Sequence, residues 1–216
     1  MTTFYQEIYK LVTDGLTLLS ESQSSGKTPR NPISETHFLS AWVTKVIKQQ
    51  YYDHCVAKTL IAWQKQARSK GKNAQLKQQF EHIQYTIGGT QADNNNSGKA
   101  ISKSQVDALY QQLEADDWLV TTEYEVNRKV KHFTDGQASL VVCSAQIKAG
   151  FSEGDELMKP LSFFVRGDAK ALVDAAFEHG LLLYKVTDYK SMVKYHGEYL
   201  VYPGNAGSHL PELPTR

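Results

Sequence analysis

From residue 3 to residue 20 the apolar positions Phe4, Ile8, Leu11, Val12, Leu18 and Leu19 recur at helical spacing, which predicts an amphipathic helix. The polar run SESQSSGKTPRNP then reads as a loop, rich in Ser, Gly and Pro. Asn31 or Ser34 can cap a second helix with Pro32 or Glu35 in its first turn; Phe38, Leu39, Trp42, Val43 and Ile47 form its apolar face. A third helix is predicted over 53–69, with Val56, Leu60, Ile61 and Trp63 inward and Gly71 as a left-handed stop. A fourth, over 73–85, places Leu76, Phe80 and Ile83 on one side. Together they predict an α-helical module over residues 1–87.

Residues 88–100, GGTQADNNNSGKA, offer nothing to anchor a core and read as a linker or loop. A fifth helix begins near Ser102 or Ser104 and presents Val106, Leu109, Tyr110 and Leu113. The period then changes. Tyr124, Val126, Arg128 and Val130 alternate, Thr134 to Gly136 signals a turn, and SLVVCSA is β-branched and compact, which predicts two antiparallel strands. LSFFVR is a third strand, 168–179 a helix, LLLYKVT a fourth strand and GEYLVYPG a fifth. The expected fold is α+β: a helical bundle, then over 101–205 a small antiparallel or mixed sheet with one or two helices. Residues 206–216 are expected as a loose or draped tail.

Composition adds little, but the distribution of charge does more. Residues 1–100 carry 12 Lys/Arg against 7 Asp/Glu, and residues 101–216 carry 12 against 16, so the halves expose different surfaces. The two cysteines, Cys55 and Cys143, lie far apart, which argues against a disulfide framework or a four-ligand zinc site. The first residues lack a signal-peptide core, and no run is long enough to span a bilayer, so a cytoplasmic protein is expected, with no membrane partner. No cofactor loop or metal motif is present; none of the seven histidines pairs with another at i, i+4.

The tripeptide Arg166-Gly167-Asp168 admits three readings. Gly167 permits a tight strand exit and Asp168 can cap the next helix through a backbone N–H near Ala171, with Gly180 as the stop. An adhesion signal would need an extracellular loop. An anion site at the helix N-terminus would be helped by Arg166 and hindered by Asp168. The corner reading is preferred.

Two basic stretches are the candidate contacts for an anion or for nucleic acid. Lys58, Lys65, Arg68, Lys70, Lys72 and Lys77 occur with no acid between Asp53 and Glu81; on a helix-turn-helix they could meet a phosphate backbone, with Gln64, Gln66 and Asn73 near base edges. The plain alternative is a solvated helix face. In the second stretch Lys185, Lys190, Lys194 and His196 interleave with Tyr184, Tyr189 and Tyr195, either for base stacking or as a charged sheet edge.

The blocks NPISETHFLSAWVTKVIKQ, NAQLKQQFE, SLVVCSA, KPLSFFVRGD and FEHGLLLYKVTDYKSMVKYHGEYLVYPGN resemble an uncharacterised family, domain of unknown function 2913. The resemblance implies a bacterial protein whose two halves occur together; it brings no reaction, cofactor or catalytic residues. Two functions stay open. One is a non-enzymatic binding or regulatory protein, contacting nucleic acid or a protein partner through its basic surfaces. The other is an enzyme with an anion pocket between the halves, lined by Arg166, Lys185, Lys190 and His196.

Overall fold

The computed structural model describes residues 2–92 and 97–215; the Asn-rich positions 93–96, read above as part of a linker, lie outside the described residues. The chain divides into two compact units, Met1–Gly89 and Thr90–Arg216.

The first unit is helical. α1 (Phe4–Ser24) opens on a capping box, in which Thr3 Oγ1 accepts from Gln6 N–H and the Gln6 side chain returns to the Thr3 N–H. α2 (Pro32–Gln49) starts as expected, with Asn31 accepting from Ser34 N–H at 2.9 Å and Pro32 at the first helical position. A 3₁₀ turn at His54–Val56 leads into α3 (Ala57–Lys70). Gly71 has a positive φ, but the chain passes through a second 3₁₀ turn there, and the left-handed residue is Gln75, just before α4 (Leu76–Gly88). α4 packs against α1 and α2, and its Phe80 ring meets Trp63 at 4.6 Å between centroids and Trp42 at 6.3 Å. Gly15 of α1 lets these rings in: a Cβ there would lie 2.8 Å from Trp42 and 3.0 Å from Phe80.

The second unit is the α+β part. A two-residue ribbon, β1 (Gln91–Ala92) with β2 (Ser97–Gly98), precedes α5 (Lys103–Ala115), which Ser102 caps. The sheet is β3 (Leu119–Thr121), β4 (Ser139–Val142), β5 (Leu161–Arg166), β6 (Tyr184–Thr187) and β7 (Gly197–Val201), in the order β3-β4-β5-β7-β6. β3 and β4 are parallel and the other neighbours antiparallel, so the sheet is mixed. α6 (Ser144–Gly150) follows β4, and α7 (Ala169–Glu178) joins β5 to β6. Those two strands are both antiparallel to β7, hence parallel to each other.

Two sequence expectations are corrected here. Residues 124–130 alternate but are not a strand; β4 pairs instead with β3, because Trp118 is buried and Leu119 N–H donates to the Ala138 carbonyl at 2.8 Å. SLVVCSA does not extend through Ala145 either. The strand stops at Val142, and Ser144 begins α6.

Alternation along the strands splits the sheet into two faces. Leu140, Val142, Phe163, Val165, Tyr199 and Val201 enter one core with Leu109 and Leu113 of α5 and Leu172 and Ala176 of α7. On the other face Val141 and Phe164 form a small cluster with Val193, against which Val126 and Val130 pack. The closing segment is draped over this unit: Glu212 N–H donates to the Leu183 carbonyl at 2.8 Å, and Thr215 Oγ1 donates to Asp174 at 2.6 Å.

Candidate functional site

Helix α3 buries Leu60, Trp63 and Ala67, and at about 100° per residue this turns Lys58, Lys65 and Ser69 to the opposite side and Arg68 to the flank. Lys70, the last residue of α3, and Lys72 in the following turn lie off that side, but all five cations are exposed. Among the described residues no carboxylate lies within ion-pair reach of any of them. Lys77 differs: its Nζ sits 2.9 Å from Glu35. Burial opposes ionisation of Glu35, yet the bonds from Lys77 and Gln23 hold its carboxyl below the ordinary carboxylate value.

The helix-turn-helix reading does not fit this unit. α4, the second helix of the pair, packs into the unit through Leu76, Phe80, Ile83 and Ile87. Gln64 Nε2 donates to Thr44 Oγ1 at 3.0 Å and Gln66 Nε2 to the Ala74 carbonyl at 3.4 Å, so both amides point into the unit. Only Asn73 of the three expected base-readers is exposed.

The Arg-Gly-Asp corner is a helix start. Asp168 Oδ1 accepts from Lys170 N–H at 2.9 Å and from Ala171 N–H at 3.2 Å. Gly167 has φ +126°, and Gly180 ends the helix region at φ +75°. With the carboxylate already on the free N–H groups, an external anion finds them occupied and self-repelling. Arg166 Nη1 reaches back to Thr134 Oγ1 at 3.4 Å.

The family model described as Protein of unknown function (DUF2913) matches residues 3–214. The chain belongs to that family. No curated protein and no solved structure matches it.

In this DUF2913 member the remaining candidates of the second unit separate. Lys185 binds Asp188 at 2.5 Å, and that hydrogen bond raises its pKa. Lys190 is exposed and Lys194 half-buried. His196 is not a surface contact at all: it is fully buried, its Nε2 accepting from Ser139 Oγ–H at 2.8 Å while Nδ1–H donates to the Lys194 carbonyl at 2.9 Å. Burial foremost, with smaller pushes from His132 and Arg166, holds it below its ordinary value of 6.5 and so neutral at pH 7. A serine hydroxyl on an oriented imidazole is the arrangement of an activated nucleophile. Here both side chains are sealed, Ser139 and His196 each at 0% exposure, so no substrate atom can reach the oxygen. The pair instead pins the segment before β7 to the start of β4.

Ser139 carries no sequence signal, since one serine opening a strand is commonplace. Cys143 is buried, its Sγ accepting from Val126 N–H at 3.3 Å. Cys55 is half-buried, and burial first, then the Asp53 carboxylate, pushes its thiol up to about 11, away from thiolate chemistry. Among the described residues no group of three or more His, Cys, Asp and Glu is placed to hold a metal, and no helix is long and apolar enough to cross a membrane.

Proposed function

We propose that this family member is a non-enzymatic binding protein that engages the phosphate backbone of nucleic acid through the outer side of α3 and the turn after it. One observation carries the reading: Lys58, Lys65, Arg68, Lys70 and Lys72 stand exposed along a single helix and its exit, with no carboxylate partner among the described residues. Isolated cations on a rigid rod are what a polyphosphate can neutralise with release of its counterions. Fourteen residues of α3 extend about 20 Å, enough to follow several phosphates. The inward amides of Gln64 and Gln66 support backbone contact without base readout. A cytoplasmic setting suits this role, with both cysteines free thiols.

Fluorescence anisotropy with a labelled oligonucleotide duplex tests it. Wild-type protein binds at low salt, and Lys65→Glu combined with Arg68→Glu and Lys72→Glu abolishes binding while leaving the circular dichroism unchanged. Equal affinity in the folded triple variant would remove α3 from the interface.

A further inference from the structure

β3 and β4 are adjacent and parallel, a connection ordinarily made by a crossover helix. Here residues 122–138 make it with no regular element and cross the sheet face away from α5 and α7 as a strap. Irregular connections beyond ~12–15 residues are uncommon in compact units and usually functional. The strap is firmly held. Val126 and Val130 pack on Val141, Phe164 and Val193. Val130 N–H donates to the Met192 carbonyl at 2.9 Å, and the Val130 carbonyl accepts from Lys194 N–H at 2.9 Å. Its other end is tied where the Tyr124 carbonyl accepts from Ser144 N–H at 2.9 Å.

Strap and sheet border an open cleft of about 500 Å³ whose lining includes Arg128, Lys131 and His132. That volume is within the ~300–1,000 Å³ of small-molecule sites. Val130 and Val141 give it an apolar wall, and Glu125 is the acid facing the two cations. Neither Arg128 nor Lys131 has an ion-pair partner among the described residues. His132 Nε2 is enclosed with no protein group in hydrogen-bonding reach. Its ring stands edge-on to Tyr124 at 6.2 Å and to His196 at 5.8 Å, and both nitrogens of His196 are already engaged. Burial lowers the His132 pKa, which keeps the ring neutral at pH 7.

We propose that this cleft binds a small organic anion, a phosphate monoester or a carboxylate, with Arg128 and Lys131 on the charge, the His132 ring in the wall beside it, and Val130 and Val141 against the apolar body. The site lies in the second unit and stands or falls independently of the α3 surface.

The test is an NMR titration of the full chain, following the His132 ring C–H signals with phenyl phosphate, benzoate and inorganic phosphate. At least one organic anion shifts the His132 signals saturably. Phenyl phosphate alone assigns the site to phosphate esters, and benzoate alone to carboxylates. The exposed pair Arg128→Gln with Lys131→Gln weakens binding by about tenfold or more. Lys190→Gln, outside the lining, binds like wild type. No saturable shift with either organic anion overturns the proposal. So does undiminished affinity in the folded Arg128/Lys131 variant, or inorganic phosphate binding as tightly as phenyl phosphate.

Discussion

A histidine's neighbours, not its place in the sequence, decide what it can do. His196 sits in a run of lysines and tyrosines and reads there as an anion contact, yet it is sealed against Ser139 and the Lys194 carbonyl. Its burial depends on Val130 meeting Val193 across two distant loops, a pairing no local pattern encodes. Lys77 was misplaced in the same way, because Glu35 is 42 positions away. Asp168 was legible as a cap by contrast, and Asn31 and Ser102 each as one of two candidate starts, since a cap reads its own backbone within three positions. Buried His196 and half-buried His132 carry a pH consequence. Both fold with pKa values below the ordinary 6.5, so the unfolded chain takes up protons that the folded chain refuses. Their contribution is complete above pH 6.5 and is lost as pH falls from there toward the folded values. Urea midpoints should therefore drop between pH 7.5 and 5.5, before the carboxylate of Glu35 begins to matter, and His132→Phe should reduce the drop. A midpoint that stays level across that interval contradicts the account.

Elements were legible where an apolar run or a helical face is bounded by local punctuation. β5, α7 and β7 fall where their apolar patterns and the Gly167 and Gly180 signals put them, and β6 starts at Tyr184 within the expected LLLYKVT. The misreadings cluster at the strap, where Val126 and Val130 alternate like a strand because they press on the sheet face, although their backbone pairs elsewhere. α6 was hidden because it is short and follows β4 with only Cys143 between them. Gly167 shows how tightly a corner can be specified. At φ +126° a side chain is strained, and an added Cβ would lie 2.7 Å from Ala138 Cβ and 3.0 Å from Ala138 Cα. Gly167→Ala is expected to cost about 1–3 kcal/mol, a melting temperature several degrees lower. Asp168→Ala, which loses only the cap, should cost about 1 kcal/mol. If the two variants melt alike, the close approach of β5 to Ala138 is not what the glycine serves.

The molecule as a whole carries a formal charge of only +1, which hides a division between its parts. Residues 1–100 are net +5 and residues 101–216 net −4, so attraction to a polyanion should belong to the first unit and not to the chain's mean field. A diffuse charge and a stripe of discrete contacts respond differently to salt. If the five exposed cations of α3 and its exit each neutralise one phosphate, log affinity for duplex DNA should fall against log salt with a slope of about −4.5, or nearer −3 if one or two stay hydrated. Between 50 and 200 mM salt that is a loss of about two to three orders of magnitude. Changing Arg68 and Lys72 to Gln should flatten the slope by about 2, one unit per lost contact, rather than lower affinity equally at every salt concentration. Because Gln64 and Gln66 face inward, duplexes of unrelated sequence should give superimposable lines. Anisotropy titrations at four salt concentrations with two sequences measure both quantities. A slope near zero, or lines separated by sequence, would mean that the cations of α3 only face water and that the duplex is held elsewhere.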